Sequence, residues 1–177
     1  MPHARVVELQ PGADTCPWTA LDAAGDGLTV DNFLTTRFSE VANGLRRNVT
    51  LPYATDAGLA VSEWRLLALL AHARELPFGE LVRRSTSDKA LVSRALRALE
   101  SRGLAQVLPD AGGHKKKLVC VITPAGDALH QRVIPVARAR QADAIRVLTV
   151  EERRALFAAL RKLAAYCRDL EAPDGDR

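Results

Sequence analysis

The segment that most constrains the fold is Ser87 to Gly103, SDKALVSRALRALESRG, because it predicts a single helix with two opposite faces. At about 100° per residue, one side of this helix carries only apolar residues, and the other carries small residues and two arginines. The apolar side consists of Val92, Ala95, Leu96 and Leu99. The opposite side consists of Ala90, Ser93, Arg94, Arg97 and Ser101. A solvated helix normally mixes Glu with Lys, so we expect the first side to pack in a small domain and the second to contact a partner.

A short helix precedes this segment, and a change of periodicity follows it. FGELVRRS predicts a helix from Phe78 to about Arg84, and the Thr-Ser pair after it makes a tight turn. After Gly103, a residue that commonly ends a helix, LAQVL and KLVCVI are β-prone runs on either side of the tip PDAGGH. A helix-turn-helix followed by a β-hairpin is a winged helix. The sequence therefore predicts a mainly α fold, of the α+β winged-helix type, with six helices and a two-stranded wing.

Two further helices are predicted before the winged helix. An apolar stripe formed by Leu34, Phe38, Val41, Leu45 and Val49 predicts a helix that begins near Asp31, and TLPYATDAG is expected to end it. The next helix begins at Ser62 and is apolar almost all round, so it is expected to lie buried at the centre.

Two long helices are predicted after the wing. Thr123 is a good N-cap for a helix that runs to about Val147 with a kink at Pro135, and Thr149 begins the last helix with capping-box spacing to Glu152. The last helix carries a heptad-like seam of Leu156, Leu160, Leu163, Cys167 and Leu170. Such seams exceed what a small winged helix can bury. They predict a partner helix bundle, most simply a second copy of the chain, which would form a homodimer through the first and last helices.

These elements divide the chain into five predicted parts. They are a partly ordered extension (1–30), a first dimerisation helix (31–52), a winged helix-turn-helix (53–122) with recognition helix 88–102 and wing 104–122, two further dimerisation helices (123–171), and a disordered tail (172–177).

The basic residues are concentrated in the predicted winged helix. Between Arg83 and Lys117 there are nine basic residues and three acidic ones, an excess of six positive charges in a chain whose net charge is +4. Such a region suits a polyanion, and Arg can donate two hydrogen bonds to guanine while Ser and Lys reach phosphates. The sequence thus predicts double-stranded DNA as a partner. The expected contacts are Ser87, Lys89, Ala90, Ser93, Arg94 and Arg97 on the recognition helix and His114, Lys115, Lys116 and Lys117 in the wing.

Two other interpretations of the basic face remain open: a merely solvated basic surface, and a winged helix that binds proteins. The second would require an apolar or mixed outer face on the recognition helix. An enzyme is not expected, because the chain contains no nucleophile-elbow, zinc-protease or phosphate-loop motif. The spacing of its Cys and His residues fits neither a metal site nor a disulfide framework, and no cofactor is expected. No apolar run reaches 18 residues and no signal peptide is recognisable, so a cytoplasmic location without membrane contact is expected.

From about Asp31 to Leu170 the chain resembles the MarR family of bacterial transcription regulators. The stretches that carry the resemblance are SEWRLLALLA, FGELVRRS, DKALVSRALRALESRGLAQV and ITPAGDAL, in this order and spacing. The resemblance implies a homodimer that binds a pseudo-palindromic operator, usually as a repressor, and that a small ligand often releases. In one departure, His114, Lys115 and Lys116 stand where the family's wing commonly carries Asp-Arg-Arg. Because Lys lacks the planar fork of Arg, we expect base discrimination to depend more on the recognition helix.

The resemblance also implies a ligand crevice between the dimer helices and the DNA-binding lobe. Its candidate polar groups are Arg46, His72 and His130, with Trp64 as an aromatic wall, a set that suits an aromatic carboxylate. Each residue alone also has an ordinary explanation: a core tryptophan, a hydrogen-bonded histidine or a solvated arginine. A cysteine-based redox sensor is the alternative. Cys16, in DTCPWT, has no basic neighbour that would lower its pKa, and Cys120 and Cys167 are expected to be small core residues.

Overall fold

A computed structural model describes residues 16–109 and 118–171 of the chain, which separates into two compact units. The larger unit, Pro17–Arg140, contains the core, the sheet and the helix-turn-helix, and the smaller one includes Gln141 onwards. The helices are α1 (Leu34–Leu45), α2 (Leu51–Asp56), α3 (Val61–Ala73), α4 (Phe78–Ser85), α5 (Lys89–Ser101), α6 (Pro124–Arg146) and α7 (Val150–Glu171). The strands are β1 (Glu75–Pro77), β2 (Ala105–Pro109) and β3 (Leu118–Ile122). Among the described residues, no helix combines the length and apolarity needed to cross a membrane.

The core of the larger unit forms around α3, as its all-round apolar sequence predicts. Leu66, Leu67 and Leu70 are fully buried, and α3 packs against α4, α5 and β3. The predicted inner face of the recognition helix is confirmed, because Val92, Ala95, Leu96 and Leu99 are all at most 5 % exposed. Burial of α5 against α3 therefore fixes which side of α5 faces outward.

The first helical segment is longer than the sequence predicted. A 3₁₀ turn at Val30–Asn32 contains the expected start, α1 begins at Leu34, and a π-helical turn at Arg46–Thr50 leads directly into α2. The expectation that TLPYATDAG ends the helix is wrong, since the segment stays helical to Asp56. Pro52 lies in the first turn of α2, where a missing N–H is tolerated, and the wider π turn accommodates the junction. The predicted boundary at residue 52 thus falls inside helix.

The sheet has three strands in the order β1-β3-β2, and both pairings are antiparallel. The wing hairpin was predicted, but β1 was not, so the two-stranded prediction is incomplete. This strand has only three residues and ends in Pro77. So short a strand shows no alternating pattern of apolar and polar residues. Arg74, with φ 69°, turns the chain from α3 into β1, which pairs Leu76 with Cys120. The wing-tip residues 110–117 lie outside the described residues.

The predicted starts of the two long helices are confirmed. Thr123 Oγ1 accepts a hydrogen bond from Gly126 N at 3.0 Å and donates one to Gly103 O at 2.6 Å, which ties the start of α6 to the end of α5. At α7, Thr149 N donates to Glu152 Oε2 at 2.7 Å, and Glu152 N donates to Thr149 Oγ1 at 3.2 Å. Pro135 lies within the continuous helix α6.

The apolar stripes of α1 and α7 remain uncovered in the described residues, and neither helix contains a buried residue. The large apolar side chains that are exposed on α1 are Leu34, Phe38, Val41 and Leu45. Those on α7 include Leu156, Phe157, Leu160, Tyr166 and Leu170. A soluble monomer seldom leaves so many large apolar side chains in contact with water.

Gly126 tests the packing between α6 and the end of the helix-turn-helix. A Cβ at this position would lie 2.0 Å from Leu104 O and 3.0 Å from Ile122 Cγ1, so Gly126→Ala must displace backbone. We expect a loss of about 1–3 kcal/mol in the free energy of unfolding, measured by urea denaturation. Gly79→Ala is the matched control, because nothing lies within 4 Å of its Cβ position. Equal stability of the two variants would contradict the close approach.

Candidate nucleic-acid interface

The turn between α4 and α5 is built by three hydroxyl-bearing residues and an N-cap. Ser85 is buried, donates to Val82 O at 2.8 Å and accepts from Ser87 N at 3.3 Å, while Thr86 adopts a left-handed conformation with φ 52°. Asp88 Oδ1 accepts from Leu91 N at 2.8 Å and begins α5. The turn therefore sets the direction of the predicted recognition helix, whose bounds, Lys89–Ser101, agree closely with the predicted range 88–102.

The predicted DNA-contacting residues on α5 share one exposed surface, which we call the recognition face. Lys89, Ala90, Arg94 and Arg97 are exposed, and Ser93 is half-buried beside them. Ser87 is half-buried in the turn. None of the three cations of this face has a hydrogen bond or an ion pair with any other described residue. The wing residues predicted with them, His114, Lys115, Lys116 and Lys117, belong to the range 110–117 that lies outside the described residues.

The arginines of the preceding helix are engaged, in contrast to those of the recognition face. Glu80 accepts hydrogen bonds from Arg83 Nη2 at 2.6 Å and from Arg84 Nε at 2.5 Å. Hydrogen bonding to Arg83, and then to Arg84, lowers the pKa of Glu80 to about 2, so this carboxylate stays charged at neutral pH. Arg83 and Arg84 thus share one carboxylate within α4, whereas the cations of the recognition face have no such partner among the described residues.

Arg102 fixes the far end of α5, a role that sequence reasoning missed. Its Nη1 donates to Gly58 O at 2.8 Å and lies 3.5 Å from Glu63 Oε2. Glu63 Oε2 also accepts from Ala60 N at 3.1 Å, which caps the start of α3. The end of the recognition helix is therefore tied to the loop between α2 and α3. No periodic pattern marks a contact between residues 44 positions apart.

Only two of the four predicted ligand-binding residues come together. Trp64 is buried and stacks on His130, with ring centroids 5.6 Å apart and planes 13° from parallel, and Tyr53 meets the Trp64 ring edge-on at 5.6 Å. Arg46, in the π-helical turn, and His72, near the end of α3, are both exposed. The structure thus forms an aromatic cluster rather than the predicted group of cations beside a tryptophan.

The pKa of His130 is lowered, which favours its neutral form. Burial lowers its pKa, and Arg138 lowers it further, although Asp127 opposes this shift. Its Nδ1 atom is buried and has no hydrogen-bond partner among the described residues. The neutral ring therefore serves to pack against Trp64.

A cavity of about 360 Å³ opens beside this cluster, between α2 and α6. Its lining residues are Tyr53, Asp56, Ala57, Leu129, Arg132, Val133 and Val136. The volume lies in the range of small-molecule sites, and the walls combine apolar side chains with one cation and one carboxylate. Sequence reasoning missed this lining, although Leu129, Val133 and Val136 follow helical spacing along one side of α6.

The cysteines give no support to redox sensing through the core. Cys120 is fully buried in β3, and burial, with a smaller contribution from Glu100, raises its pKa to about 11, so the thiolate is disfavoured. The expected core position is confirmed for Cys120 but is wrong for Cys167, which is exposed because no helix covers the seam of α7 in the described chain. Cys16 is also exposed.

Within the described ranges, no group of His, Cys, Asp and Glu side chains could hold a metal ion.

Residues 57–116, which include α3, the helix-turn-helix and β2, match the sequence model of the MarR family. A search of curated proteins finds no significant match. A MarR-family transcriptional regulator from Silicibacter pomeroyi is 27 % identical with a TM-score of 0.65, and the match covers 78 % of this chain and 92 % of that one. BpsR of Bordetella bronchiseptica, whose DNA binding is regulated by 6-hydroxynicotinic acid, is 25 % identical with a TM-score of 0.58, covering 71 % and 98 %. A mutant MarR from E. coli, complexed with operator DNA, is 19 % identical with a TM-score of 0.67, covering 77 % and 99 %.

The sequence match falls on the region that carries the recognition face, and the structural match extends over more than three quarters of the chain. By sequence in residues 57–116 and by fold over most of its length, this chain is similar to the MarR family of transcriptional regulators.

Proposed function

We propose that the protein represses transcription by binding a pseudo-palindromic operator as a homodimer, and that a small aromatic carboxylate releases it. The observation that carries DNA binding is the recognition face, which contains no acid and whose cations have no hydrogen bond or ion pair with any described residue. Its small residues, Ala90 and Ser93, let α5 approach base edges, and Arg94 and Arg97 can each donate two hydrogen bonds to guanine. The E. coli relative, which is complexed with operator DNA, supports DNA as the partner.

Phosphate contacts would add affinity around this face. Lys89 and Ser87, at the start of α5, would meet one strand of the duplex. The lysines of the wing, Lys115, Lys116 and Lys117, are proposed to meet the backbone beside the half-site, with His114 at their start. Lysine acts there as a point charge, so these contacts would contribute affinity rather than base discrimination.

The dimer is proposed from the uncovered stripes of α1 and α7. Two copies related by a two-fold axis could bury these side chains against each other, as the heptad-like spacing of α7 favours. Such a dimer would present two α5 helices about one turn of B-form DNA, roughly 34–36 Å, apart. A pseudo-palindromic operator matches this symmetry.

The cavity between α2 and α6 is proposed as the effector site, in place of the residues chosen from the sequence. Arg132 is exposed and has no ion pair among the described residues, so it can hold a carboxylate through two hydrogen bonds. Leu129, Val133 and Val136 offer apolar surface to an aromatic ring. The regulation of BpsR by 6-hydroxynicotinic acid, an aromatic carboxylate, supports the same ligand class.

We propose that the ligand releases DNA through the hydrogen bond that Arg102 donates to Gly58. Asp56 and Ala57 line the cavity, and the next residue, Gly58, accepts the hydrogen bond of Arg102 at the end of α5. A ligand that shifts this loop changes the position of the recognition helix and favours a state with lower affinity for DNA.

Arg94→Ala tests base reading. We expect its affinity for a duplex selected from random DNA by the wild-type protein to fall by about 1–3 kcal/mol, roughly 5- to 150-fold, because the guanine contact is lost. The ratio of the affinities for the selected and the shuffled duplex, measured by fluorescence anisotropy titration, should fall by the same factor. Arg83→Ala is the control, since Arg83 is already paired with Glu80. A wild-type protein that binds all duplexes equally, without dependence on salt, would contradict DNA reading altogether.

Leu160→Glu tests the dimer. A charge in the middle of the α7 seam should convert the dimer to a monomer in sedimentation experiments, because buried unpaired charge is costly. Binding to the selected duplex should be lost with it, since two half-sites can no longer be held together. Ala158→Glu introduces the same side chain on the other side of α7 and should leave the dimer intact. A monomeric wild-type protein at micromolar concentration would refute the proposal.

The effector site is tested by calorimetric titration with 6-hydroxynicotinic acid and with benzoate. Wild-type protein should bind at least one of them, and its operator affinity should then fall by roughly 5- to 150-fold, the usual size of such coupling. Val136→Trp should abolish ligand binding because the indole fills the cavity.

Arg102→Gln should bind ligand but no longer release DNA. Binding of neither ligand would contradict the proposed class, and full release from Arg102→Gln would contradict the proposed connection.

A further inference from the structure

A narrow crevice lies where α3 meets the turn of the helix-turn-helix and the first turns of α5. Its floor consists of the buried side chains of Leu66, Val92 and Ala95. Its remaining lining residues are Ser62, Arg65, Ser85, Ser87 and Leu91, of which Arg65 is exposed and Ser62 and Ser87 are half-buried. The open space is about 10 Å³, enough for about one water molecule. The crevice therefore excludes an organic ligand but leaves a polar rim that a single anionic oxygen can contact.

Arg65 differs from the arginines of α4 and from Arg74 and Arg102, because it has no acid partner among the described residues. Arg83 and Arg84 are paired with Glu80, Arg102 lies beside Glu63, and Arg74 Nη1 lies 2.9 Å from Asp127 Oδ1. Arg65 has no hydrogen bond or ion pair with any described residue. The acid of the turn, Asp88, is engaged by Leu91 N at 2.8 Å. Among the described residues, Arg65 is therefore an unpaired cation on α3, like Arg94 and Arg97 on the recognition face.

The position of Arg65 relates it to the flank of the recognition face. Leu91, which shares the crevice with Arg65, is three residues before Arg94 and so lies one helical turn away on the same flank of α5. A helix that enters the major groove, about 12 Å wide, has its flanks beside the two phosphate strands that border the groove. When α5 reads bases, the rim of the crevice would meet a strand rather than a base edge.

We propose that Arg65, with the hydroxyls of Ser62 and Ser87, forms a phosphate-binding site on α3 that docks the protein onto the DNA backbone beside each half-site. This inference rests on the proposed DNA binding and adds an element to it, since α3 then contacts DNA as well as forming the core. The Ser62 hydroxyl has no partner among the described residues, and that of Ser87 donates to Ser85 O at a long 3.3 Å, so both can turn to an incoming oxygen. The site fixes register and adds affinity without reading sequence.

The test is the salt dependence of binding by the full-length protein, measured between 50 and 200 mM NaCl. Because each neutralised phosphate contributes about 0.9 to the slope of log K against log salt, Arg65→Gln should flatten the slope of the dimer by about 1.8. Over this fourfold range, the wild-type protein then loses roughly tenfold more affinity than the variant. The same change should appear with the selected duplex and with a shuffled one. Arg65→Lys should retain the wild-type slope, since a phosphate accepts a point charge.

Arg140→Gln is the matched control, because it removes the same charge from an exposed arginine of α6 that has no partner among the described residues. An Arg65→Gln variant with an unchanged slope, in a protein whose binding still requires Arg94, would overturn the phosphate site and leave the proposed function standing. A loss confined to the selected duplex would also overturn it, because Arg65 would then read a base. If the wild-type protein shows neither salt dependence nor sequence preference, the proposed function itself fails. Thermal unfolding of each variant shows that the comparison is between folded proteins.

Discussion

The burial of one side of α5 against α3 is the constraint on which the rest of the site depends. Val92, Ala95, Leu96 and Leu99 can leave water only if α5 lies in a single rotation about its axis, and that rotation turns the recognition face outward. Each buried leucine contributes about 1.5–3 kcal/mol by leaving water, so a rotated helix would lose several such terms together. The orientation of the cations is therefore a consequence of core packing and requires no contact of their own.

Acids engage some arginines of the larger unit and leave others, including those of the recognition face, without an ion pair among the described residues. Those that join elements are matched: Arg74 bridges the end of α3 to Asp127 on α6, and Arg102 joins α5 to Glu63 and Gly58. Those of the recognition face are exposed and have no ion pair with a described residue, so their charge stays hydrated until a polyanion arrives. In a chain with a net charge of only +4, an acid-free face of this kind still provides a local positive field.

Properties that follow from spacing along the chain were predictable from the sequence. The two faces of α5, the central burial of α3 and the caps at Thr123 and Thr149 all depend on residues within a few positions of each other. The features that the sequence did not predict depend on residues that are far apart in the chain, or on backbone geometry that leaves no sequence pattern. Strand β1 exists because β3 supplies its hydrogen bonds, and the helix continues past Pro52 because a π turn precedes it. The cavity likewise arises only where α2 and α6 meet.

The same distinction explains why DNA contacts were easier to choose than effector contacts. A recognition face is a property of one helix, so its period shows it, whereas a cavity takes side chains from elements more than 70 residues apart, such as Asp56 and Arg132. Trp64 and His130 were the aromatic candidates, and in the structure they stack on each other. Their packing instead supports Tyr53, which contacts Trp64 edge-on and forms one wall of the cavity. The aromatic cluster thus shapes the proposed effector site from behind, and a ligand that displaced Tyr53 would disturb the core that orients α5.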